Sequence, residues 1–412
     1  MTRDALAAHA QRAGGWGTAA LGLAIPISTA ADGILQGIVL VAAIAGFASS
    51  WPAMRAAVLR TPPVAAAALL FALLAIGCLY GIAPRNEAWS GLGKYLDLAL
   101  IPMFMWAAAP PAVRRSALVC FGIAVVLNLY VSYSAAAGWP GLRNPAYPIG
   151  FKASVTHSLM VALGGFLFAL AARDAGRPGW RAAYIALAAL CAHNVLFIVI
   201  GRTGYVVLGL LLAYYVSTLL RGWRGPALAV LVVIIAAAAA YGSSESLQKR
   251  VNEVGSDLAQ WRPGANDTTS VGQRLEYYRT TLAIVADHPV MGVGTGGFAR
   301  AYADKVQGTD GRATVNPHND YLLIAAQIGI PGVVLLLALY ALIWRHAASL
   351  ATRLERDLAR GLVIAMFAGG LFNSLLLDHT EGLLFAWATA LLYAGYTANK
   401  RPHTAYRADP KP

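Results

Sequence analysis

Apolar runs of about 16 to 22 residues recur along this chain, a length that wound as a helix comes close to spanning the hydrocarbon core of a bilayer. Backbone N–H and C=O groups inside lipid must be satisfied within the segment itself, so such runs fold as helices. Twelve runs fit between punctuating residues: 17–31, 33–50, 64–82, 95–109, 116–137, 155–172, 181–200, 203–220, 226–241, 320–344, 359–377 and 382–398. The expected fold is an all-α polytopic membrane protein with about twelve transmembrane helices and one large, partly helical external loop. Composition agrees. Only 12% of the 412 residues are charged and 58% are hydrophobic, where a soluble domain carries about 25% charged residues.

The formal net charge is +13. Nucleic acid is not the expected partner, because no basic patch is interleaved with aromatic residues. The cations mark orientation instead. With a cytoplasmic N-terminus, the inside segments hold pairs and clusters such as Arg55 and Arg60, Arg114 and Arg115, Arg173, Arg177 and Arg181, and Arg353, Arg356 and Arg360. The short outside loops hold only Arg85, Lys94, Arg143, Lys152 and Arg202. This bias survives every crossing and places both termini in the cytoplasm. Cys78, Cys120 and Cys191 all fall in apolar runs and read as small packing residues. Arg3, Asp4 and Arg12 make the first residues too polar for the core of a secretory signal.

Residues 242–319 divide the chain into a first helical unit, 1–241, and a last one, 320–412 with its cytoplasmic tail. A loop of this length usually has a job beyond connection. Leu247, Val251, Val254, Leu258 and Trp261 recur at helical spacing, which predicts an amphipathic helix. A second helix is predicted from an N-cap at Ser270, with Leu275, Tyr278, Leu282 and Val285 on one face, ending at His288-Pro289.

Ionisable residues at or within spans are costly and therefore functional candidates. Arg202 lies in a short Gly201-Arg202-Thr203-Gly204 break. Arg274 and Arg279 lie on the second loop helix, and His318 lies in Asn316-Pro317-His318-Asn319-Asp320 at the mouth of a span. Asp378, His379 and Glu381 form the last external turn, and Lys152 and His157 mark another external helix end. Each also has a bland explanation: a snorkelling arginine, a solvated helix face, a histidine incidental to a capping sequence. Their shared side of the membrane favours one external cavity. Fixed arginines hold phosphate oxygens through paired N–H donors and stay charged. A lipid-linked pyrophosphate at the interface suits such a cavity, with His318 to move a proton.

Gly292-Val293-Gly294-Thr295-Gly296-Gly297 has the spacing of a dinucleotide loop but follows a helix, with no βαβ unit around it. Its glycines are expected to shape a turn lying close to a helix or ligand. The sequence has no P-loop, zinc motif or external Asp-x-Asp pair, so no cofactor or metal is expected and the energy must come from an activated donor.

His318-Asn319, nine residues, then Gly329-Ile330-Pro331-Gly332 resembles the His-Asn-x9-Gly-x-x-Gly signature of bacterial O-antigen ligases. Arg274-Leu275-Glu276-Tyr277-Tyr278-Arg279 with Pro289-Val290-Met291-Gly292-Val293-Gly294, and the Arg202-Thr203 turn, resemble motifs of the wider ligase and polymerase superfamily. The resemblance covers roughly residues 200–335. It implies a periplasmic active site on a bacterial inner-membrane protein. The implied activity moves O-antigen from undecaprenyl pyrophosphate to a sugar hydroxyl of lipid A–core without metal or ATP. It further implies that Arg202 and Arg274 bind the donor pyrophosphate and that His318 is the catalytic base. Arg279, Asn319, Asp378, Lys152, Arg143 and His157 are the further candidates for the substrate cavity. An O-antigen or capsule polymerase and a protein O-oligosaccharyltransferase are the related alternatives. A transporter is the unrelated one, weakened by the lack of an obvious internal repeat.

Overall fold

The computed structural model describes residues 2–139, 147–199, 201–220, 222–262, 269–309 and 311–396. Among them every regular element is helical. The first group is α1 (Arg3–Ala24), α2 (Thr29–Ala45), α3 (Phe47–Arg60), α4 (Pro62–Tyr80), α5 (Arg85–Gly93) and α6 (Leu96–Ala107). Next come α7 (Pro111–Ala136), α8 (Ser154–Asp174), α9 (Pro178–His193), α10 (Arg202–Ser217) and α11 (Arg224–Ser243). The loop unit supplies α12 (Glu245–Gln260), α13 (Ser270–Asp287) and α14 (Phe298–Val306). The chain then re-enters the bundle as α15 (Asp320–His346), α16 (Arg353–Gly370) and α17 (His379–Tyr393).

Small residues set the close helix contacts, as expected where packing rather than hydrophobic exclusion drives association in lipid. A Cβ on Gly22 would lie 2.3 Å from the Ala117 carbonyl oxygen of α7, and one on Gly204 would lie 2.5 Å from Ser158 Cβ of α8. Outward faces stay apolar, with Leu79 78% and Ile234 60% exposed. In water such surface would be a liability; against acyl chains it is the ordinary solvent-facing side.

Among the described residues six helical segments are both long and apolar enough to cross a membrane, and the pair α2 and α3, bent by 107° at Gly46, makes a seventh if taken as one span. The expected count of twelve is not supported. Helices form in the remaining runs, but they are too short or too polar to pass. α6 has 12 residues and α17 has 15, or about 18 and 22 Å of helix. α16 begins with Arg353, Glu355, Arg356 and Asp357, and the first expected boundary also moves. The chain turns at residues 25–28, so Asp32 lies inside α2 and is fully buried instead of marking a loop.

The loop unit has its own small core of Ile284, Val293, Phe298, Tyr302, Leu323 and neighbours, which seats α13 and α14 on α15. Its glycine-rich segment does structural work at the break in α15. Ile328 and Gly329 leave helical geometry there, Gly329 at φ 75°. The freed backbone groups are taken up by the loop. Val293 N–H donates to the Ala326 carbonyl, Gly294 N–H to Gln327, and Ile330 N–H to the Pro289 carbonyl, each at 2.8 Å. Ile82 N–H also donates to the Val293 carbonyl at 3.0 Å. The segment thus staples α4 and α15 together, which satisfies backbone that lipid could not.

Candidate functional site

The end of the bundle where α10 and α15 begin collects the polar groups. His318 sits just before Asn319, the N-cap of α15, and at φ 56° it is the one non-glycine residue with positive φ among the described residues. His, like Asn and Asp, enters that region more readily than most residues, yet at a cost the surroundings must hold. They do so from several sides. Its N–H donates to Asn316 Oδ1 at 2.8 Å, Tyr278 OH donates to its carbonyl at 3.2 Å, and the Tyr277 ring stacks against the imidazole with centroids 6.2 Å apart.

The imidazole is oriented by a short relay. His318 Nδ1 lies 3.1 Å from Asn373 Oδ1, and Asn373 Nδ2 donates to Asp378 Oδ2 at 3.2 Å. A carboxylate can only accept, so Asp378 fixes the amide with its oxygen toward histidine. Nδ1 then carries the hydrogen and Nε2 is left with its lone pair, the arrangement of a base. Burial raises the Asp378 carboxyl above its ordinary range, opposed by the charges of His318 and Lys94 and by the Asn373 bond. Asn373 carries no sequence signal, because an Asn in a turn after an apolar helix is ordinary.

Arg274 and Tyr278 share one face of α13 at i and i+4. The Arg274 guanidinium is pushed below its usual pKa by burial and by the neighbouring positive charge of Arg202, with Tyr278 opposing. Neither arginine has a carboxylate partner among the described residues. Two partly buried guanidinium groups that feel each other's charge and have no carboxylate partner among the described residues are suited to holding an anion.

Other expected cavity residues are otherwise engaged. Arg279 is paired with Glu276 at 2.5 Å and is half-exposed. Asn319 spends its side chain on the Leu322 N–H of α15 and on the Leu371 carbonyl, both at 3.0 Å. His157 is 1% exposed. It accepts from Gly150 N–H at 3.1 Å and bonds Asn194 Oδ1 at 2.9 Å, which makes it a satisfied core histidine. Lys152 is held by Asp32 at 3.5 Å, Thr29 at 2.7 Å and Thr380 at 3.3 Å. Arg143 lies outside the described residues. Glu381 lies in the first turn of α17 instead of a loop, buried and bonded by Thr156. Sequence reasoning also missed Asp97, buried on α6 and bonded by Gln36 at 2.7 Å. Nothing in an apolar run with one Asp signals that partner.

Residues 181–337 match the O-antigen ligase family model. Over those residues the match supports a likeness to the O-antigen ligase/polymerase superfamily. No curated protein matches the chain. The matched segment runs from α9 to two-thirds of the way along α15 and contains Arg202, Arg274, His318 and the break at Gly329. The matched segment thus holds both arginines and the histidine, while Asn373 and Asp378, which orient that histidine, come from beyond it.

Proposed function

We propose that this protein is a glycosyltransferase acting on a lipid-linked saccharide. In this reading it moves O-antigen from undecaprenyl pyrophosphate to a sugar hydroxyl of lipid A–core, as an O-antigen ligase on the periplasmic face of a bacterial inner membrane. The observation that carries the reading is that Arg202 and Arg274, without acidic partners among the described residues, share a charged region with α13, whose Tyr278 bonds the backbone of a histidine with its Nδ1 toward Asn373. The bias of basic residues toward the opposite loops supports the orientation. An apolar groove between α10 and α11, lined by Leu196, Tyr205, Leu212 and Ile234, opens one turn from Arg202 and suits a polyprenyl tail.

In the reaction, His318 Nε2 takes the proton of the acceptor hydroxyl as its oxygen attacks the anomeric carbon. The bond from that carbon to the pyrophosphate oxygen breaks, and the diphosphate leaves into the field of the two guanidinium groups. Direct displacement inverts the anomeric centre. His318→Asn keeps a residue that tolerates positive φ and removes the base. Reconstituted with donor and acceptor, this variant is expected to lose about 10²-fold or more in rate while binding donor normally. Transfer at the native rate overturns the assignment. A polymerase of the same superfamily uses a second lipid-linked repeat as acceptor. A deletion strain separates the two readings: loss of a ligase leaves bare core, and loss of a polymerase leaves core bearing one repeat.

A further inference from the structure

Beside the relay lies a cleft of about 310 Å³ that the donor chemistry does not use. Its size is that of a small-molecule site. One wall is α5, which presents Asn86, Glu87, Ser90 and Lys94, and the floor includes Phe298 and Leu377. The wall is kept close by a backbone contact: a Cβ on Gly91 would lie 3.0 Å from Gly296 Cα. Amide, carboxylate, hydroxyl and ammonium groups over an apolar floor match the two faces of a pyranose. Hydroxyls find donors and acceptors on the wall, and the C–H face meets the aromatic and aliphatic surface.

The cleft also leads to the reacting group. Val315, three residues before His318, lines it, and so does Leu377, whose neighbour Asp378 ends the relay through Asn373 to the imidazole. The charge of Lys94 reaches Asp378. Arg202 and Arg274, by contrast, come from α10 and α13, which contribute nothing to the cleft.

We propose that this cleft binds the accepting saccharide, so that donor diphosphate and acceptor sugar reach His318 from sides of the site built by different helices. The proposal rests on the glycosyltransferase reading and adds to it the place of the acceptor. It applies whether the sugar belongs to lipid A–core or to a second lipid-linked repeat, since both offer the same hydroxyl-rich surface.

The test uses the full chain in proteoliposomes with a polyprenyl-pyrophosphate-linked saccharide as donor. Two acceptors are titrated separately: polymer-free lipid A–core glycolipid and a lipid-pyrophosphate-linked single repeat. The acceptor that wild-type protein uses tells which source the cleft serves. Ser90→Trp places an indole in the cleft from an exposed helix position, and Asn86→Ala removes one hydrogen-bonding group. Ser90→Trp is expected to raise the acceptor KM roughly tenfold or more and Asn86→Ala to raise it less, with the donor KM unchanged in both. Donor hydrolysis without acceptor is measured in parallel, and the wild-type rate in Ser90→Trp shows that the variant is folded. An unchanged acceptor KM, or a rise shared by the donor KM, overturns the cleft. If wild-type protein transfers to neither saccharide, the glycosyltransferase reading falls with it, an outcome distinct from transfer that ignores Ser90→Trp.

Discussion

At the level of single residues, the proposed reaction asks one histidine to act as a base. His318 is solvent-accessible only in part, and its backbone is held by Asn316, Tyr278 and the cap of α15. The ring is aimed by Asn373, which is itself aimed by Asp378. Asn373→Leu keeps the volume and removes the oxygen that holds Nδ1–H. Both tautomers then become accessible and the ring can rotate. The expected effect is a fall in kcat of roughly 10- to 100-fold with the donor KM unchanged, read from initial rates. A drop confined to KM would show that Asn373 touches substrate instead. Arg202→Lys tests the other half of the site. Lysine retains the charge but loses the planar fork, so donor affinity should weaken by roughly tenfold in a direct binding measurement. Unchanged affinity would remove Arg202 from the anion site. The sequence singled out His318, Arg202 and Arg274 because charge at a membrane interface is conspicuous. It gave no sign of what holds Lys152 and His157, because a buried partner such as Asp32 or Asn194 lies far along the chain and leaves no local trace.

At the level of elements, the break in α15 and the glycine-rich segment act as one piece. The periodicity of the loop helices was legible, and α12 and α13 lie where apolar spacing places them, with the cap of α13 one residue earlier, at Thr269 instead of Ser270. The dinucleotide-like glycine pattern reads in sequence as a turn lying close to a helix, but its seat on α15 is a long-range fact. Gly294 has φ 85°, and a Cβ there would lie 2.0 Å from Gly81 Cα, a backbone atom that cannot swing away. Gly308 has φ 77° with nothing within 4 Å. Alanine at Gly308 meets only the left-handed penalty, about 1 kcal/mol. Alanine at Gly294 adds a backbone clash, so its cost should exceed roughly 3 kcal/mol. Thermal unfolding in detergent should place Gly308→Ala near wild type and Gly294→Ala far below it or absent from the folded fraction. Equal midpoints would mean that the staple between α4 and α15 is not needed for stability.

At the level of the whole molecule, hydropathy reveals where helices form better than how many cross the membrane. A helix such as α17 can be short because protein, not lipid, surrounds it: its side chains from Thr380 to Tyr393 are almost all buried. Conversely, α11 is long and lipid-exposed, and passes on length and composition alone. Crossing number and sidedness are therefore properties of the assembled bundle, and sidedness bears directly on function. Donor and acceptor glycolipids meet outside the cytoplasm only if the end bearing His318 faces outward. With Cys78, Cys120 and Cys191 replaced, a cysteine at Ser90 reports the His318 end and one at Gly176, in the turn between α8 and α9, reports the other; both positions are exposed. A membrane-impermeant maleimide added to spheroplasts should label Ser90→Cys at once and Gly176→Cys only after lysis. The positive-inside bias requires this order, because Arg173, Arg177 and Arg181 surround the second site and resist translocation. The reverse order would put the guanidinium pair and the histidine in the cytoplasm. The arginines would then face a compartment full of soluble phosphates, and the case for a lipid-linked donor would lose its chemical setting.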